Sequence, residues 1–164
     1  MDGIELARDI EASLKDIPIL DAHTHLDASH LTARGLHDLL LYHMVVSDLA
    51  SAGCPERGRL PEEPSDEEAR ARIEGALAYL PAISNTSCHW GLRIILEDLY
   101  GWTGAITPDN WHRLDSAIRE RSRDHAWAGR VFDSAGIARS GTEYWRKRDG
   151  SRDDYLQYSL EWAF

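Results

Sequence analysis

His23 and His25 stand one residue apart at the end of "IPILDAHTHL", Ile17 to Leu26, and Asp21 lies two residues before the first of them. On a strand, alternate side chains share a face. Asp21, His23 and His25 then point one way, and Leu20, Ala22, Thr24 and Leu26 the other. Two neutral imidazoles on adjacent same-face positions can reach one divalent metal, and imidazole suits zinc, iron, nickel or copper. A bare HxH also arises by chance, as two surface histidines. Its position favours the metal, because ligand sites in parallel α/β folds form where strands end. Asp21 sits deeper on that face, where it either orients a metal ligand from behind or caps a neighbouring loop. Two imidazoles do not finish a site, since catalytic zinc takes three protein ligands plus water. Asp27 and His30 are near in sequence, and His89 is a further candidate. Asp27, His30, His37, His112 and His125 read as solvated loop or helix residues.

The elements that must carry these residues are legible from periodicity. Leu6, Ile10 and Leu14 recur every fourth residue, so 3–16 reads as an amphipathic helix that Pro18 ends. Ile19 to Leu26 reads as a strand, and its near-continuous apolar start suits one buried on both faces. Leu36 to Ala52 reads as a second helix with Gly53 at C′. "CPERGRLPEEP" is a loop. Ser65 opens a third helix, running to Pro81, with Glu68 at capping-box spacing. A fourth runs from near Thr86 to a C′ glycine, Gly101. A fifth starts at Thr107 as N-cap with Pro108 in its first position. A sixth covers 126–135 and ends at Gly136. Ile137 to Trp145 reads as a second strand, "RKRDGSRDD" as a polar turn, and "YLQYSLEWAF" as an aromatic-rich run.

The chain has 164 residues and a net charge of −10, which argues against a binder of nucleic-acid backbones. It does not argue against a small anionic ligand. No apolar run approaches the ~20 residues of a membrane span, so no membrane partner is expected. The N-terminus is too acidic for a signal peptide. Cys54 and Cys88 form no CxxC and read as reduced thiols, which points to the cytoplasm.

"DAHTHL" after an apolar strand resembles the first-strand motif of the amidohydrolase superfamily. Those enzymes are metal-dependent (β/α)8 barrels whose first-strand HxH supplies two metal ligands. Tyr79 to Asn110 is similar to the uronate isomerase (glucuronate isomerase) branch, with its P…N-x-x-x-HW stretch, helix and F/Y-G turn. Pro81, Asn85, His89, Trp90, Tyr100 and Gly101 carry the match. "LASAGCPE", Leu49 to Glu56, resembles that branch's "RSAGVDE" segment.

The resemblance implies the N-terminal part of a TIM-like barrel, an α/β fold. Residues 17–26 would be the first barrel strand, 36–135 a helical insertion and 137–145 the second strand. It implies a divalent metal, zinc first, on His23 and His25. It also implies a small anionic sugar acid as substrate. The reaction would be aldose–ketose isomerisation of a hexuronate, of the glucuronate to fructuronate type. His89 would contact substrate through the HW match, or else be a helix-terminus histidine with its ring against Trp90. His43 matches the histidine of a family His-Tyr pair, and Arg139 on the second strand can face the barrel interior.

Ser140, Gly141, Thr142 and Glu143 replace the family's Thr-Thr-Asp-Asp-Pro-like end, Met44 follows His43, and Ser47 and Ala50 replace arginines. These changes keep two alternatives open: a metal-dependent hydrolase of the same superfamily, and a non-catalytic helical module. A barrel needs roughly 200 residues or more and typically ~250. The expectation is therefore that residues 1–164 form a single incomplete domain. It would be a truncation, a proteolytic product or half of a split gene, inactive alone. It would join an oligomer or the remainder of the barrel.

Overall fold

Side-chain caps decide where three of the helices begin. A computed structural model describes residues 2–24, 31–55, 64–147 and 153–161, with backbone only for 22–24, 43, 141–147 and 153–161. Asp2 Oδ1 accepts the N–H groups of Ile4 and Glu5 and starts α1 (Gly3–Leu14). β1 (Ile19–Thr24) follows. Then come α2 (Leu36–Leu40) and α3 (His43–Ser51). Ser65 and Glu68 form the expected capping box at the head of α4 (Asp66–Leu77). A 3-10 turn, Leu80–Ile83, leads to α5 (Ser87–Tyr100), which Thr86 caps by accepting the His89 N–H at 3.2 Å. α6 (Trp111–Ser122), α7 (Trp127–Ser134), β2 (Ile137–Lys147) and β3 (Asp153–Glu161) complete the order.

Three glycines end helices where they were expected to. Gly53, Gly101 and Gly136 all have positive φ, at 94°, 66° and 68°. At Gly53 the hydrogen bonds are those of a Schellman motif: Gly53 N–H to Ala50 O, and Cys54 N–H to Leu49 O.

Three expected spans change. Leu36 to Ala52 is two helices, broken at Leu41 and Tyr42, whose ψ of 141° is extended. In one straight helix Leu36 and Val45 would point about 180° apart. The break lets both enter one core. The third helix stops at Leu77, and Pro81 falls in the 3-10 turn instead. The fifth starts at Trp111 and not at Thr107. Asn110 Oδ1 accepts the Thr107 N–H at 2.8 Å and its Nδ2 donates to Ala105 O, so residues 107–110 form a separate turn.

The chain divides into two compact units. Thr32–His125 is helical and builds its core from α2 to α6. Leu36, Leu40, Leu49, Ile73, Leu96, Leu114 and Ile118 are fully buried there. Each contributes about 1.5–3 kcal/mol of burial. One polar anchor ties α2 to α6. Asp115 Oδ1 accepts the Leu36 N–H at 2.8 Å, and its Oδ2 accepts from Arg119 Nε at 2.7 Å. Gly35 is required beside it, because a Cβ there would lie 2.8 Å from Asp115 Oδ1.

The other unit joins Met1–Leu31 to Ala126–Phe164 and holds the sheet, in the order β1-β2-β3. β1 and β2 are parallel, Ile19 opposite Ile137 and Asp21 opposite Ser140. The pairing begins where helix α7 ends: Ile19 N–H donates to Gly136 O at 2.8 Å. α7 packs beside β2 and buries Trp127 and Phe132. β3 runs antiparallel to β2, outside the all-parallel pattern of a (β/α)8 barrel. The chain is thus a helix-rich α/β protein whose parallel pair is joined through a long helical segment.

β1 is not buried on both faces, as its composition suggested. Ile19 and Leu20 are exposed, Leu20 at 68 %. β1 is an edge strand of this sheet. The stripe on α1 forms but none of its residues is buried. Leu26 and residues 148–152 of the expected polar turn lie outside the described residues. Among the described residues no helix is long and apolar enough to cross a membrane.

Replacing Asp115 by Ala should cost about 2–3 kcal/mol, because it orphans the Leu36 N–H and releases Arg119. Glu120→Ala, at an exposed site on the same helix, should stay within about 0.5 kcal/mol. Urea unfolding midpoints of the two variants measure the difference, and equal midpoints would refute the anchor.

Candidate functional site

Strand pairing builds one candidate site from sequence-distant residues. Asp21 on β1 and Ser140 on β2 are register partners. The Ser140 hydroxyl donates to Asp21 Oδ2 at 3.3 Å, and Ser140 is buried to 1 % exposure. Asp21 is half-buried. This hydrogen bond ties Asp21 to the neighbouring strand. The backbone of His23 lies on β1, two residues beyond Asp21. Its side chain, and all of His25, Asp27 and His30, lie outside the described residues. Among the described residues no three His, Cys, Asp or Glu side chains converge as a metal group.

Arg139 is exposed and pairs in register with Leu20, not with Asp21. Strand alternation sets it on the face opposite Ser140. His43 is the first residue of α3, and its side chain lies outside the described residues. His112 and His125 are exposed, as expected.

His37 corrects the expectation of a solvated histidine. It is 5 % exposed in the core of the helical unit. Its Nε2 lies 3.4 Å from Asp38 Oδ1, while its buried Nδ1 has no hydrogen-bond partner. Asp38 is also clamped by Arg34, whose Nε and Nη2 both donate to it at 3.0 and 2.8 Å. Burial lowers the basicity of His37. Asp38 opposes this, while Arg34 and Arg119 reinforce it. Its helix places it on the same side as Leu36 and Leu40, a side no single-residue pattern revealed.

His89 lies in the first turn of α5, half-buried, while the adjacent Trp90 is 67 % exposed. His89 lines a cavity of about 250 Å³ with Arg93 one helical turn on. Leu80, Leu92, Leu96 and Ile106 supply its walls. Burial, and then the nearby Arg93 charge, lowers the basicity of His89. Arg93 was not singled out from sequence, although the His-x-x-x-Arg spacing puts both on one helix face.

No protein-family model and no curated protein sequence matches this chain.

The buried His37 gives the stability a pH dependence of definite sign. Its folded-state pKa lies below the ordinary 6.5, so below that value the unfolded chain binds more protons. This contribution is fully present above pH 6.5 and is lost as the pH falls through the folded value. The slope is at most about 1.4 kcal/mol per pH unit for one proton. Urea unfolding between pH 5.5 and 7.5 should show this slope. His37→Gln should flatten it, and an unchanged slope in that variant would assign the effect elsewhere.

Proposed function

We propose that this chain carries the first strand, HxH motif and helical crossover of an amidohydrolase-superfamily enzyme of the uronate isomerase-like branch. The observation that supports it is the parallel pairing of β1, which carries the first histidine of the HxH, with β2 across the helical segment. That is the order the resemblance implies. In this reading His23 and His25 hold a divalent metal, zinc first, and Asp21, steadied by Ser140, orients a ligand from behind. When bound, the metal supplies Lewis acidity to a substrate oxygen. The substrate is a hexuronate, isomerised between aldose and ketose forms in the cytoplasm. His89 and His43 are its candidate contacts. Arg139, on the far face of β2 from Ser140, is the least suited of the three.

With Asp21 behind the metal and not on it, two imidazoles do not complete a catalytic zinc site. The remaining ligands, and turnover, come from a partner chain or from further barrel strands. Ser140 to Glu143, in place of the family's Thr-Thr-Asp-Asp-Pro, favours a second reading. In it, metal-activated water hydrolyses an ester, lactone or amide.

Metal analysis after chelation and refilling should find about one zinc per chain. The double substitution His23→Ala and His25→Ala should weaken zinc binding more than about a hundredfold, beyond the roughly 10–100-fold cost of losing an outer-shell partner. Stoichiometric zinc retained by the double variant would sink the reading. Activity on uronates against esters, lactones and amides, in the assembly that turns over, separates isomerase from hydrolase.

A further inference from the structure

The chain carries a net charge of −10, yet α5 presents two basic groups to one cavity. His89 and Arg93 stand at i and i+4, so they are neighbours on one helix face. Both are half-buried. Among the described residues no carboxylate forms an ion pair with either. A guanidinium partly withdrawn from water without a counter-charge is costly, and a carboxylate matches its fork in two parallel hydrogen bonds. An anion beside both groups would pair with the Arg93 charge and favour the protonated, donating form of His89.

The rest of the cavity sets the other half of the ligand. Its walls are mostly apolar, Leu80, Pro81, Leu92, Leu96 and Ile106, with Ser84 the one further polar side chain. A sugar bearing several hydroxyls would lose water at most of them, because Ser84 can pair with one at a time. At about 250 Å³ it falls below the roughly 300–1,000 Å³ of pockets for drug-sized ligands. Gly104 and Ala105 form an open rim, and nothing lies within 4 Å of where a Gly104 Cβ would be. We propose that this cavity binds a small organic acid with a compact apolar body, its carboxylate on Arg93 and His89 and its body against the leucines. The site lies wholly within Thr32–His125 and does not rest on the metal reading. It gives His89 to this apolar acid in place of the hexuronate contact that the family resemblance implies, and a hydroxyl-covered sugar acid is not its preferred occupant.

The full chain can be titrated with benzoate, benzyl alcohol, inorganic phosphate and glucuronate. Calorimetry and the NMR signals of the His89 ring follow the binding. Benzoate should bind saturably, at least about tenfold tighter than each of the others. That is the factor expected for one charge-assisted hydrogen bond. Arg93→Leu should remove that advantage, and Arg93→Lys should keep part of it. Ala105→Trp, which plugs the cavity from its exposed rim, should block benzoate even if Arg93→Leu fails to fold. Benzyl alcohol binding as tightly as benzoate would reduce the site to an apolar hollow. Phosphate binding as tightly would reduce it to a charged patch. Glucuronate binding more tightly, or benzoate binding unchanged in Arg93→Leu or in Ala105→Trp, would overturn the proposal.

Discussion

The parallel pairing of β1 with β2 is the constraint from which the rest follows. Two parallel neighbours cannot be joined by a tight turn, because the chain must return to the starting end of the sheet. Here Ile19 lies opposite Ile137, and the return is made by the helical segment between them. The first hydrogen bond of the pair uses the carbonyl of Gly136, the residue whose left-handed conformation ends α7. Helix stop and strand start are therefore one event. The same register sets Ser140 beside Asp21 and sends Arg139 to the other face.

The helical unit solves a different problem. Its core is apolar, but the short α2 enters it with a histidine as well as leucines. Burying polar groups is tolerable when they are hydrogen-bonded. Asp115, Asp38, Arg34 and Arg119 form that support, and the orphaned Nδ1 of His37 shows where it stops. Exposed ion pairs elsewhere, such as Arg70 with Glu74, add little by comparison.

The two candidate sites differ in kind. The strand site is defined by Asp21 on β1 and by the His-x-His spacing that follows it in the sequence. The cavity on α5 is defined by its surroundings: two basic groups matter there because apolar walls enclose them. A metal reading can be argued from residue types and spacing, whereas the cavity needs residues from three separate segments.

Much of the local structure was legible in the amino-acid sequence. Ser65 with Glu68, Thr86, and the glycines at 53, 101 and 136 act through hydrogen bonds spanning only a few residues, so their spacing determined the helix boundaries they set. The strand Ile19–Thr24 and the start of β2 were legible for the same local reason. Tertiary structure decided what depends on partners far along the chain. It broke Leu36 to Ala52 so that both halves could face one core, buried His37, and left Leu20 exposed on an edge strand. It also set Ser140 against Asp21 and closed leucines around His89 and Arg93. Periodicity states which residues share a face; only packing decides what, if anything, that face meets.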